Sequence, residues 1–133
     1  MLFIYLIERH LEHGPKMMEL LSKMGQRGDS LCTSIFTLGE VLTGSYSAGT
    51  ISLSEEIKRF LGSPEVDLLP FTTETADHYA RIRANNKVAP ADAIHLASAA
   101  AAGVDLFLTN DRSLQRIIVP GIQFVAGMDV DLF

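Results

Sequence analysis

The chain has 133 residues, 47% of them hydrophobic, with a single cysteine and a formal net charge of −5. That length makes one domain, able to bury a layered core without disulfides, and the lone Cys32 rules out an internal disulfide and suits the reducing cytoplasm. The negative balance excludes a protein that coats nucleic acid through a basic surface. It does not exclude an enzyme that meets phosphate through bound cations, because acids that hold a metal count as negative until they are loaded.

Leu2 to Leu11 is apolar on nearly every side and predicts a helix. Its apolar run stops at Glu8-Arg9-His10, too short to cross a bilayer and without the flanks of a signal peptide; the stretch from Ala93 to Leu108 is broken by His95, Gly103 and Asp105. No membrane segment is expected. Pro15 opens a second helix with Met17, Met18, Leu20, Leu21 and Met24 as its buried stripe, ended by Gly25 and Gly28. Leu31 to Ser34 predicts a strand, followed by a helix from Ile35 to Ser47. Ser52 or Ser54 can cap a helix running to Leu61, which Gly62-Ser-Pro64 stops. Val66 to Phe71 reads as a strand, Thr73 caps a helix to Asn85, and Pro90 starts an Ala-rich helix that ends at Gly103. Asp105 to Thr109 is a strand, Arg112 to Ile117 a short helix, and Ile122 to Val125 a final strand. Strands alternating with helices predict one α/β domain, a parallel sheet covered on both faces.

Three carboxylates stand where such a sheet places a site, outside the carboxyl ends of its strands. Asp111 directly follows a strand, Asp92 lies in the first turn of a helix, and Glu40 lies on the helix after a strand. Asp111 reads equally as a helix N-cap, and Asp92 as a partner of the helix dipole. Glu40 falls in the apolar series Ile35, Phe36, Leu38, Val41 and Leu42, on or near a face expected to be buried, where an unpaired carboxylate is costly and a metal ion or hydrogen-bond partner would relieve it. His95 reads as a buried, hydrogen-bonded residue rather than a ligand, because hard Mg²⁺ prefers oxygen. His10, His13 and His78 lack paired spacing for zinc. Arg81, Arg83 and Lys87 read as a solvated helix face, with RNA steering as the alternative.

Leu2-Phe-Ile-Tyr-Leu-Ile-Glu, Glu40-Val-Leu, Pro90-Ala-Asp-Ala-Ile-His-Leu-Ala and Thr109-Asn-Asp, taken together, resemble the successive motifs of PIN-domain proteins, most closely the VapC-type toxin ribonucleases. The resemblance covers nearly the whole chain and implies a three-layer α/β/α domain around a central parallel sheet. It implies Mg²⁺ or Mn²⁺ held by Glu40, Asp92 and Asp111, polarising the scissile phosphate of RNA and generating a hydroxide for in-line attack. Glu40 would be a ligand or would orient the attacking water, and Thr109 and Asn110 would support bound water or phosphate. In the family, the first strand ends in a further Asp. Here it would precede Met1, so the strand and that Asp are expected to be missing, through a misplaced start codon or through degeneration. The family commonly forms homodimers and is neutralised by a small antitoxin, and the apolar Leu2, Phe3, Tyr5, Leu6, Met17, Met18 and Leu21 would form a dimer surface on N-terminal helices. The rival readings are a catalytically impaired module that binds antitoxin or dimerises, and a phosphatase or flap-type DNA nuclease on a similar fold.

Overall fold

A computed structural model describes residues 3–6, 22–109 and 111–127. Five strands form one parallel sheet: β1 Phe3–Leu6, β2 Ser30–Ser34, β3 Val66–Leu69, β4 Leu106–Leu108 and β5 Phe124–Ala126, in the order β3-β2-β1-β4-β5. The helices are α1 Ile35–Ser47, α2 Ile51–Leu61, α3 Thr73–Asn85 and α4 Pro90–Ala102, with a 3₁₀ turn at Leu114–Arg116 and a helical stretch over 22–27.

The N-terminal segment corrects two expectations. Phe3–Leu6 is a strand, not a helix, and it occupies the centre of the sheet, with Ile4 opposite Leu31 on one side and Leu106 on the other. The central strand expected to be missing is therefore present. A short run that is apolar on every side fits a strand buried on both faces as well as a helix, because periodicity does not separate the two. Phe, Ile and Tyr add β propensity, and pairing with β2 and β4 decides it. Phe3, Tyr5 and Leu6 consequently lie in a strand with both edges paired, not on a helix offering a dimer surface. Leu2, Met17, Met18 and Leu21 lie outside the described residues.

The helices follow their capping chemistry, with small shifts. The Ser34 side chain accepts a hydrogen bond from the Phe36 amide and starts α1 at the last residue of β2. Thr72, not Thr73, caps α3 in a reciprocal box with Thr75. Neither Ser52 nor Ser54 caps α2. The N-cap is Thr50, with no side-chain bond, and the Ser54 hydroxyl donates to the Ile51 carbonyl at 2.6 Å instead. Gly25 does not end the first helical stretch, which runs to residue 27 and stops at Gly28 with φ 74°. Pro90 occupies the first turn of α4, and Gly103 ends that helix at φ 67°.

The core lies between α4 and the sheet. Ala93, Leu96, Ala97, Ala99 and Ala100 on α4 are buried with Phe107, Val104, Leu114 and Val119. Small alanines let α4 approach closely, and one consequence falls on Gly121. It has φ 102°, and a Cβ there would stand 2.8 Å from the Ala100 carbonyl oxygen and 3.2 Å from its Cα. Both the dihedral and the contact penalise a side chain, so Gly121→Ala should lose about 1–3 kcal/mol of stability in urea denaturation. An unchanged midpoint would show that the loop relaxes freely.

Cys32 is 1% exposed and sits opposite Asp67 in the pairing of β2 with β3. Burial, and secondarily the Asp67 charge, push its thiol up to about 12 from the ordinary 9.0. The folded thiol stays protonated where the unfolded one ionises. The resulting stability is intact below pH 9.0 and declines between there and about 12, by roughly 1.4 kcal/mol per unit. At pH 8 the native protein should resist a thiol reagent such as dithionitrobenzoate, and urea should release one reactive thiol. Rapid labelling of the native chain would contradict this burial.

Candidate functional site

The direction of α4 determines where Asp92 stands. Thirteen residues of helix rise about 20 Å, and only Gly103 to Asp105 separate α4 from β4, so α4 runs back along the sheet, antiparallel to β4. Its first turn, carrying Asp92, is thereby returned to the end of the sheet where β4 finishes. Thr109 and Asp111 follow β4 at that same end, and α1, carrying Glu40, leaves β2 there. The topology brings the predicted elements to one pole of the sheet.

Side-chain contacts join α4 to α1. His95 and Asp92 are three residues apart on α4, hence neighbours on its surface. His95 Nε2 lies 2.6 Å from Glu40 Oε1, and because a carboxylate oxygen only accepts, the imidazole donates. His95 Nδ1 is 3.4 Å from the Thr37 hydroxyl, which is 2.9 Å from the Thr33 hydroxyl. The His95 side chain is 1% exposed and that of Glu40 39% exposed. Glu40 thus lies at the margin of the site rather than on a buried face, and the partner that relieves it in this structure is a histidine. The His95 ring also packs against Phe36, centroids 5.6 Å apart.

Asp92 is buried and has an interaction partner of its own. Asp111 does what an N-cap residue does without heading a long helix: its Oδ1 accepts from the Ser113 amide at 2.9 Å and from the Ser113 hydroxyl at 2.6 Å. The Asp111 amide in turn donates to the Thr109 hydroxyl at 3.0 Å. Thr109 is buried, its amide bonded to the Ala126 carbonyl of β5. Asn110 lies outside the described residues. Arg81 pairs with Asp77 on the open face of α3 at 3.0 Å, as the solvated-face reading expects.

Among the described residues no three of His, Cys, Asp and Glu come together as a metal-holding group. Mg²⁺, however, keeps several waters and binds through one or two carboxylates rather than an all-protein cage, and hard oxygen donors are the chemistry that Asp92, Asp111 and Glu40 offer. The donor set fits a hydrated ion and not a closed site. Sequence reasoning missed the roles of Thr33 and Thr37; the signal available was the spacing of three residues that puts Thr37 and Glu40 on one face of α1. A cleft of about 530 Å³, lined among others by Met24, Asp29, Leu31, Phe60, Val66 and Asp67, opens at the opposite pole, where β2 and β3 begin. There Asp29 is already paired with Arg27 at 3.3 Å. None of the predicted site residues lines it.

Several solved structures share this architecture. VapBC from Salmonella typhimurium, solved bound to DNA, superposes with a TM-score of 0.75 at 23% identity, covering 96% of this chain and 99% of that one. VapBC2 from Rickettsia felis, solved with a promoter DNA fragment, gives 0.68 at 16% identity over 95% and 98% of the two chains. VapBC-5 from Mycobacterium tuberculosis gives 0.52 at 21% identity over 73% and 80%. No curated protein sequence matches the chain. The family model described as PIN domain matches residues 2–119, nearly all of the sequence and every element that carries the site, and on that match the chain belongs to the PIN-domain family.

Proposed function

We propose that this protein is a metal-dependent endoribonuclease of the VapC toxin type, acting in the cytoplasm on RNA phosphodiester bonds. The observation that carries the reading is topological: in a PIN fold, Asp92, Asp111 and Glu40 leave the sheet at one pole, the end where open α/β sheets bind ligands. Likeness to toxin–antitoxin complexes supports a cognate antitoxin as partner, and a homodimer is proposed as the assembled form.

Asp92 and Asp111 would hold Mg²⁺ or Mn²⁺. The bound ion supplies charge neutralisation at the phosphate and a lowered pKa for the attacking water. Glu40, fixed at Oε1, has no hydrogen bond to Oε2 among the described residues, and this second oxygen is the group that orients the water. Thr109 holds the Asp111 loop by accepting the Asp111 amide, and Asn110 would contact phosphate. With a net charge of −5, the chain depends on that cation to receive RNA at all.

The absence of a three-acid group among the described residues favours one second reading, an antitoxin-binding or dimerisation module that does not cleave. One assay separates the two. The purified chain is incubated with a mixed-sequence single-stranded RNA and Mn²⁺ or Mg²⁺, with EDTA and Asp111→Asn as controls. Cleavage lost in both controls is the expected result. RNA left intact by a chain that still binds antitoxin would establish the module, and hydrolysis of structured DNA or small phosphate esters alone would replace the substrate class.

A further inference from the structure

We infer that His95 is a positioning residue, which transmits the rigidity of α4 to the Glu40 carboxylate. The inference rests on the ribonuclease reading above and assigns within it a role to a side chain that is not a metal ligand. The argument starts from Glu40 itself. Its side chain is 39% exposed on one face of α1, and a glutamate so placed samples several rotamers, whose restriction costs side-chain entropy. A carboxylate that orients water cannot wander, because a misplacement of about 1 Å costs on the order of a hundredfold in rate.

The structure supplies the restraint from another element. His95 is 1% exposed on a helix whose other inward positions, Ala93, Leu96, Ala97, Ala99 and Ala100, are buried, and Phe36 closes against its ring. A ring so enclosed has one orientation. From the far side, Thr37 and Thr33 set that orientation in a line of hydroxyls running from β2 into α1 and reaching Nδ1. Nε2 emerges where Glu40 begins and takes Oε1, which leaves Oε2 directed by elimination. Burying an imidazole is costly unless both nitrogens are bonded, so a histidine at this position would be a poor choice for packing alone. The motif Asp92-Ala-Ile-His95 therefore joins a metal-ligand candidate to the residue that fixes its neighbour's rotamer.

The test compares three variants of the full chain. His95→Leu removes the donor while conserving an apolar volume; Thr37 keeps Thr33 and Glu40 turns to water. His95→Gln keeps a donor at the reach of Nε2. Thr37→Val removes only the hydroxyl behind the ring. Two readouts are taken, Mn²⁺ affinity by calorimetry and steady-state cleavage of the mixed-sequence RNA. Partners that orient metal-site groups typically contribute ten- to a hundredfold to affinity or activity, so His95→Leu should lose about that much in kcat or in Mn²⁺ affinity with KM for RNA unchanged. His95→Gln should regain most of it, and Thr37→Val should lose less than His95→Leu.

Wild-type values in His95→Leu, or equal losses in the Leu and Gln variants, would overturn the inference by showing that the ring serves packing. Should the Leu variant not fold, the same comparison stands on Thr37→Val and His95→Gln, with unaltered Thr37→Val overturning it. Should no chain cleave RNA above the Asp92→Asn background, the ribonuclease reading fails by itself. Mn²⁺ affinity then decides: a loss restored by Gln supports positioning, and no change overturns it. A wild-type chain that neither cleaves nor binds Mn²⁺ overturns both.

Discussion

Asp92→Asn should reduce Mn²⁺-dependent RNA cleavage by at least about a hundredfold, since even groups that only orient metal ligands are worth ten- to a hundredfold. The substitution is isosteric and keeps one hydrogen-bonding oxygen, so the loss would report charge and ligand field rather than shape. Stability moves by much less. Asp92 lies in the first turn of α4, where a negative charge gains about 0.3–1 kcal/mol from the helix dipole. Relief of repulsion from the other acids at this pole acts oppositely, so the two effects offset and the melting temperature should move little. Calorimetric Mn²⁺ titration beside the cleavage assay checks the assignment. Unchanged affinity and rate would return Asp92 to the role of helix-dipole partner.

Phe107→Ala should cost about 3–5 kcal/mol, the usual range for emptying a buried aromatic site. Phe107 is 0% exposed in the middle of β4, pairs with Tyr5 and Val125 on its two sides, and belongs to the cluster that holds α4 to the sheet. A strand locked between two neighbours relaxes little into a cavity. Against a total stability of about 5–15 kcal/mol for an ordinary domain, the variant should be marginal at 37 °C. Equilibrium urea denaturation checks it. A loss under about 1 kcal/mol would mean that α4 settles into the void.

The helices were legible because their punctuation is local. Pro90, Gly103, Gly62 and the Ser34 hydroxyl each act within one turn, and the boundaries of α1 and α4 agree with the sequence reading. The β1 segment was not legible, because Phe-Ile-Tyr-Leu carries no alternation, and only pairing with strands far along the chain chooses its state. At the site, the sequence indicated that His95 would be buried and bonded. It did not indicate that Glu40 would be the partner. That contact joins residues fifty-five apart, and no local pattern encodes it.

The sheet order carries a consequence for synthesis. β1 leaves the ribosome before β2 and β4, yet its place lies between them, and Ile4 pairs with Leu106. Closing so large a loop is slow, and at about 5–20 residues per second the partner strand arrives seconds after β1 has emerged. Until β4 has been made, β1 lacks one neighbour and Asp111 has not been translated. Any chemistry that needs Asp92 and Asp111 together therefore waits until β4 has been made, so a nascent chain stays inert at this pole for most of its synthesis.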